Sequence, residues 1–134
     1  MLETAKSFFE ACETGQGWAA CAPYCADGAT FSAQSDALAD INSLEGYADW
    51  MKGILGPIPD GHYELTGFAA DPERQTVIAT AVFIGTNTGD GPVPATGKQI
   101  ASDYAYVMNF DGAKISHMTK IWNDAQALKQ LGWA

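Results

Sequence analysis

The chain has 134 residues, of which 47% are hydrophobic and 17% charged, and its formal net charge is -9. These proportions are typical of a globular protein, and the length suits a single domain over residues 1–134. The seven cationic residues are scattered, which argues against nucleic acid as a partner, and no apolar run approaches the roughly 20 residues of a membrane span.

Helices are predicted for the first part of the chain. Apolar residues recur at helical spacing over residues 2–13, and a short helix over residues 18–24 follows the glycines that break the first one. Ser43 is the predicted N-cap of a third helix, which Pro57 and Pro59 prevent from continuing. The N-terminus lacks the pattern of a signal peptide.

The second part of the chain predicts a sheet, because the apolar pattern there has a period of two. A short strand is expected earlier, over residues 29–33, and a last helix over residues 124–131. The remaining strands are predicted at 62–70, 76–86, 99–110 and 114–122. Helices followed by a long antiparallel sheet indicate an α+β fold. A curved sheet wrapped around the N-terminal helices would form a cone whose open end leads to a pocket.

Three cysteines, Cys12, Cys21 and Cys25, are compatible with a metal or redox pair and, more commonly, with small buried side chains. There is no C-x-x-C motif and no nearby histidine to complete a zinc site. The free thiols favour a cytoplasmic location. No metal, nucleotide or flavin cofactor is expected, because no converging ligand set and no nucleotide-binding motif is present.

Three motifs carry a resemblance to a known family. Gly85–Gly89 has the sequence GTNTG, Pro94–Gly97 has the sequence PATG, and the chain closes with a Lys-Ile turn, a strand, Asn123 and a helix ending in Gln-Leu-Gly. In this order they resemble the SnoaL-like polyketide cyclases of the nuclear-transport-factor-2-like superfamily. The resemblance implies the cone-shaped fold. It also implies an aspartate base that removes a proton next to a carbonyl, so that the enolate closes a ring.

The resemblance also implies which residues face the pocket. It places the family's histidine at Asn87 and its aspartate at Asn123, whose amide is not basic. It turns one face of the strand at 99–110 inward, so that Asp103 and His117 become a candidate acid–base pair. Two other placements are equally open: Asp103 could lie in solvent or at an interface, and His117 could lie at the surface or in the core. Asp124 is the base only if the register slips by one residue, and otherwise an N-cap.

Further side chains are predicted around the ligand. The predicted ligand-binding residues are Asn87, Asn109, Asn123, Tyr24, Phe31 and Trp50, since ligand cavities are largely apolar and aromatic. Lys120 is interpreted as a solvated or interface charge. The opposite face of the sheet is predicted to form a homodimer, unless it packs on the helices instead. That face carries Tyr104, Tyr106, Met108, Phe110, Met118 and Trp122.

Three functions are consistent with the sequence. The first is a cofactor-free enzyme that cyclises, isomerises or dehydrates a small hydrophobic, oxygenated molecule through an enol. The second is a non-catalytic small-molecule binding protein, which the asparagines at positions 87 and 123 favour. The third is a dimeric interaction module that uses the outer face of the sheet. Fold alone does not choose among them.

Overall fold

Four helices pack on one face of a five-stranded sheet. The computed structural model describes residues 1–134. The elements in chain order are α1 (Leu2–Glu13), α2 (Trp18–Cys21), β1 (Cys25–Ala33), α3 (Leu44–Ile54), β2 (His62–Asp71), β3 (Thr76–Thr86), β4 (Gln99–Asp111), β5 (Lys114–Trp122) and α4 (Asp124–Leu131). Short 3-10 turns cover Ala22–Tyr24 and Asp36–Leu38. None of these helices combines the length and the apolarity that crossing a membrane requires.

The strands lie in the order β1-β5-β4-β3-β2. Three of the four neighbouring pairs are antiparallel, as predicted, but β1 runs parallel to β5. The register shifts between Leu65 and Gly67 in β2 and between Asn109 and Phe110 in β4, and such irregularities bend a strand. The α+β class and the curved sheet are therefore confirmed, with one parallel pair that the sequence pattern did not indicate.

The helix ends follow the expected chemistry. The Ser43 side chain accepts a hydrogen bond from the Gly46 amide at 3.0 Å and so caps α3. Helix α4 is capped by Asn123, whose side chain accepts from the Gln126 amide at 3.2 Å. It ends at Gly132, whose φ of 73° is the left-handed conformation that glycine adopts without strain. The first strand is longer than predicted, since it begins at Cys25 rather than at residue 29.

The core lies between the helices and the inner face of the sheet. Side chains alternate along β4 as predicted, but the face that is buried is the one predicted to be exposed. The buried set comprises Tyr104, Tyr106, Met108, Phe110 and Met118, with Trp122 partly buried beside it. The predicted dimer surface is therefore wrong in its residues. The tyrosines tolerate burial because their hydroxyl groups find partners inside.

The three cysteines are free and buried. Cys12 and Cys21 have no exposed surface, and Cys25 retains 7%. All three belong to the main hydrophobic cluster, so the interpretation as small buried side chains is confirmed. No group of three His, Cys, Asp or Glu side chains is arranged to hold a metal ion. The cytoplasmic location stays a prediction.

Candidate functional site

A cavity of about 430 Å³ opens between the sheet and the helices α3 and α4. Its walls are mostly apolar, since 13 of its 20 lining residues are hydrophobic. They include Trp50 and Ile54 from α3, Phe83 from β3 and Leu128 from α4. Both the volume and the lining are in the range of pockets that bind small molecules.

Glu13 and Lys120 are the only charged residues that line this cavity. The hydroxyl of Tyr104 donates to Glu13 Oε1, and that of Tyr106 donates to Glu13 Oε2 at 2.5 Å. Lys120 Nζ donates to Tyr47 Oη at 2.9 Å, and the hydroxyls of Tyr47 and Tyr106 are hydrogen-bonded to each other. These five residues form a continuous chain, which we call the relay: Lys120, Tyr47, Tyr106, Glu13 and Tyr104.

Burial controls the protonation of the relay. It raises the pKa of Glu13, although the Lys120 ammonium and the hydroxyls of Tyr104 and Tyr106 act to lower it. It lowers the pKa of Lys120 to about 8, while the charge of Glu13 acts in the opposite direction. Burial, and then Glu13, raises the pKa of Tyr104 far above its ordinary value, so this hydroxyl stays a proton donor. The carboxyl and the amine are thus the two groups that titrate most readily here.

Aromatic rings surround the Lys120 ammonium. Its Nζ lies 4.2 Å from the centroid of Trp122, 5.3 Å from that of Trp50 and 5.2 Å from that of Tyr104. A cation at such distances from a ring is attracted by its π electrons. Trp122 is held in place by a 2.7 Å hydrogen bond from its Nε1 to Ser102 Oγ. We call the five rings within 6.0 Å of Nζ the aromatic cage: Tyr47, Trp50, Tyr104, Tyr106 and Trp122.

Asn87 supports the loop that borders the cavity and does not line the cavity itself. Its Nδ2 donates to the carbonyl groups of Pro57 and Gly89 at 2.9 and 2.8 Å. Its Oδ1 accepts from the Thr96 amide at 2.9 Å and from Trp133 Nε1 at 3.1 Å. The side chain is fully buried and outside the cavity lining, so the structure does not support Asn87 as a ligand contact. It positions this loop and Trp133, which does line the cavity.

Asp103 and His117 lie on the outer face of the sheet, and the prediction that both face the pocket is wrong. Asp103 is exposed, and His117 is hydrogen-bonded to Thr30 Oγ1 at 2.7 Å and to Ser32 Oγ at 3.0 Å. In the β4–β5 register His117 pairs with Asn109, which places it roughly 20 Å along the sheet from Asp103 at about 3.3 Å per residue. The alternation of side chains was predicted correctly, but the family spacing placed the Asp103 side of the strand towards the pocket, whereas it faces outward.

Asp124, Asn123 and Asn109 are also outside the cavity lining. The carboxylate of Asp124 accepts from the Ala37 amide at 2.9 Å and from Ser35 Oγ at 2.8 Å. These bonds, that of Ala37 first, lower the pKa of Asp124 and tie the start of α4 to the turn after β1. Asn123 is the N-cap of α4, so the alternative in which Asp124 takes that place is wrong. Asn109 lies on the outer face of β4, and its Nδ2 donates to Thr76 Oγ1 at 3.0 Å.

Of the three predicted aromatic ligand contacts, only Trp50 lines the cavity. Phe31 stacks on Tyr47 in the core at 4.5 Å between ring centroids, and Tyr24 packs against that core from the 3-10 turn. Glu13 was not among the predicted site residues, and Lys120 was predicted to lie in solvent or at an interface. Lys120 nevertheless shares a strand face with Met118 and Trp122, and an amphipathic face that ended in Glu13 was visible in α1.

Comparison with known proteins identifies the same family by sequence and the same fold by structure. The family model of the SnoaL-like polyketide cyclases matches residues 3–131. A structure from Acidithiobacillus ferrooxidans, provisionally named a polyketide cyclase, is 26% identical with a TM-score of 0.75, covering 98% of this chain and 94% of that one. A Catenulispora acidiphila protein with a ketosteroid-isomerase-like fold, solved with trimethylamine, is 19% identical with a TM-score of 0.72, covering 98% and 94%. No curated protein matches significantly.

Proposed function

The chain belongs to the SnoaL-like polyketide cyclase family, and we propose that its pocket moves a proton next to the carbonyl group of a small hydrophobic molecule without a cofactor. Family and fold support the coarser function, which is small-molecule binding of the cyclase or isomerase type. The observation that carries the finer proposal is the position of Glu13 and Lys120, the only charged residues of an apolar cavity.

Enolisation needs a proton acceptor at the α carbon and a donor at the carbonyl oxygen. Lys120 Nζ makes one hydrogen bond to the protein, to Tyr47, and an ammonium has three N–H groups. The remaining N–H groups are suited to a carbonyl oxygen and to the charge of an enolate. Glu13 is the proposed acceptor, because burial raises its pKa and a carboxylate oxygen that accepts one bond from tyrosine retains a second lone pair.

This assignment differs from the pattern that the family resemblance implied. The position of the family's aspartate is Asn123, which caps α4, and that of its histidine is Asn87, which holds a loop. Neither residue lines the cavity. The proposed acid–base chemistry therefore comes from the last residue of α1 and from the inner face of β5 near its end, instead of from positions 87 and 123.

The test is the exchange of α protons for deuterium in 2-tetralone, a small hydrophobic ketone, followed by proton NMR. We expect the protein to accelerate exchange, and Glu13→Gln to lower the rate by about 100-fold, as for loss of a general base. Binding is measured in parallel from the tryptophan fluorescence, because three of the four tryptophans, Trp50, Trp122 and Trp133, line the cavity. Exchange that is as fast in Glu13→Gln as in the unmodified protein would remove Glu13 from the mechanism.

Two alternatives remain as outcomes of that test. Binding without exchange would favour the non-catalytic binding protein. Both carboxylate oxygens of Glu13 already accept hydrogen bonds from tyrosines, which also supports that function. Absence of binding by any apolar carbonyl compound would favour the interaction module.

We also propose a homodimer through the outer face of the sheet, with residues other than those first predicted. That face carries the exposed side chains of Ile78 and Ile121, at 43% and 60% exposure, and exposed apolar groups clustered on a sheet favour association. Light scattering at micromolar concentration is expected to give twice the chain mass, and Ile121→Glu to give the monomer mass. A monomer in the unmodified protein would contradict the proposal.

A further inference from the structure

Lys120 holds an amine in an environment that is rare for lysine. The residue is 6% exposed, and its Nζ has a single hydrogen-bond acceptor, Tyr47 Oη at 2.9 Å. No carboxylate lies within ion-pair distance, because the only ion pair of the chain joins Arg74 and Asp71 on the surface. The aromatic cage surrounds the amine, and the residue lines the cavity.

This arrangement suits a nucleophile better than a structural cation. A buried ammonium that served stability alone would be expected to pair with a carboxylate and fill its donors. Groups that face Lys120 from the packed elements are Glu13 and Cys12 of α1, Tyr47 of α3, and the tyrosines of β4. The Lys120 amine is connected to Glu13 only through the hydroxyl groups of Tyr47 and Tyr106. The amine can therefore lose its proton to the relay without breaking a direct ion pair.

We propose that the Lys120 amine condenses with the aldehyde or ketone group of a ligand in this cavity to form a covalent iminium. The proposal rests on the proposed function in one respect, namely that the pocket admits a carbonyl compound. It goes beyond that function because the ligand becomes covalently bound to the protein. The iminium nitrogen, instead of a carbonyl oxygen, then makes the proton on the neighbouring carbon acidic.

The step balances in atoms and charge. The ammonium first gives one proton to the relay, and the nitrogen lone pair of the amine then forms the C–N bond as the carbonyl π electrons move to oxygen. The oxygen takes up two protons, one from the attacking nitrogen and the one held by the relay, and leaves as water. An ammonium and a carbonyl thus become an iminium and water, and the single positive charge stays within the aromatic cage.

The surroundings favour each stage. Burial brings the pKa of Lys120 to about 8, so roughly a quarter of the amine is neutral at about pH 7.5. The rings of the cage attract the cation before and after condensation alike. Glu13 is suited to removing a proton from the carbon next to the iminium, which gives an enamine where the proposed function has an enol.

Reductive trapping tests the proposal. The unmodified protein is mixed with 2-naphthaldehyde, which has no α proton, and with sodium cyanoborohydride, whose hydride converts an iminium to a stable secondary amine. Peptide mapping by mass spectrometry then locates the label. Because the neutral fraction of an amine rises about tenfold for each unit by which its pKa falls, we expect Lys120 to be labelled at least about tenfold faster than the exposed lysines.

Two controls make the result specific. Denatured protein should lose the preference for Lys120, and Lys120→Arg should keep a cation in the cage and take up label only at the surface. Equal labelling of Lys120 and the exposed lysines in the folded protein, or none at Lys120, would overturn the iminium. If 2-tetralone still binds and exchanges in that case, the proposed function stands. If neither carbonyl compound changes the tryptophan fluorescence, both proposals fail.

Discussion

The two faces of strands β4 and β5 carry the same kinds of groups in different surroundings. The outer face bears Asp103 and His117, an acid and a base beside solvent and hydroxyl groups. The inner face holds Lys120, with Glu13 near it from α1, in an apolar cavity. On the inner face, burial raises the pKa of the acid and lowers that of the base. The presence of an acid and a base therefore does not identify the candidate site. Burial of an acid and a base in the same cavity does.

The largest expected effect comes from removing the inner acid. Glu13→Ala would leave the hydroxyls of Tyr104 and Tyr106 without their acceptor and Lys120 without its counter-charge. Leaving a buried donor without its acceptor costs about 1–3 kcal/mol in the free energy of unfolding for each group, and two hydroxyls lose their acceptor here. Denaturation with urea measures this loss.

Glu10→Ala is the matched control for that variant. Glu10 lies on the same helix and also accepts a hydrogen bond from a tyrosine, Tyr63, but it is exposed. Its loss is expected to cost less than about 1 kcal/mol. Equal costs for the two variants would show that burial does not distinguish the inner carboxylate, and the comparison of the two faces would lose its basis.

A pH dependence follows from the inner base. The pKa of Lys120 is about 8 in the folded protein and about 10.4 in an unfolded chain. Above pH 8 the unfolded state therefore binds more protons at Lys120 than the folded state does, and this amine alone contributes a rise of about 2 kcal/mol in the free energy of unfolding up to about pH 9.5. The thiols of Cys12 and Cys25 contribute in the opposite direction, because the hydrogen bond with Cys21 and burial, respectively, raise their pKa values. Urea denaturation of the unmodified protein and of a variant without the amine isolates the Lys120 contribution. Lys120→Met should lack it, and parallel curves for the two proteins would show that the amine is not desolvated.

The sequence predicted the fold well because each element has a local signal. Ser43 at a helix start, prolines after the helix end and a two-residue period in β3 to β5 all act within a few residues of the chain. The pairing of β1 with β5 has no such signal, since it joins Thr30 to His117 across most of the chain.

The candidate site was predicted less well, because its residues depend on which face of β4 and β5 points towards the helices. Asp103 and Tyr104 are neighbours, and the alternation alone does not say which of them points inward. A polar residue is normally expected outside, yet Lys120 is inside, because tyrosine hydroxyls and aromatic rings accept its charge. Such compensation comes from α1, α3 and β4 at once, so no single segment of the sequence displays it.

A smaller effect is expected from a buried residue that carries no charge. Asn87→Ala would leave the Pro57 and Gly89 carbonyls and the Trp133 indole without their partner, at a cost of about 2 kcal/mol. The loop bordering the cavity should then be cut faster by trypsin after Lys98. Asn87→Asp keeps the acceptor oxygen for Thr96 but removes the donor and adds a buried carboxyl group, so it is expected to cost at least as much. A thermal unfolding curve unchanged in both variants would contradict a supporting role for Asn87.

The smallest effect is expected on the outer face, where Asp103→Asn changes a carboxylate to an amide of the same shape. Asp103 is exposed, and substitutions at such positions usually change the free energy of unfolding by no more than about 0.5 kcal/mol. Deuterium exchange in 2-tetralone should be unaffected, because the side chain lies on the far side of the sheet from Glu13 and Lys120. The variant thus serves as the partner of Glu13→Gln in one assay, with the same chemical change made on opposite faces. A rate lowered by Asp103→Asn and unaltered by Glu13→Gln would reverse the assignment and return the site to the outer face of the sheet, where Asp103 borders an open groove with Asn123 and Asp124.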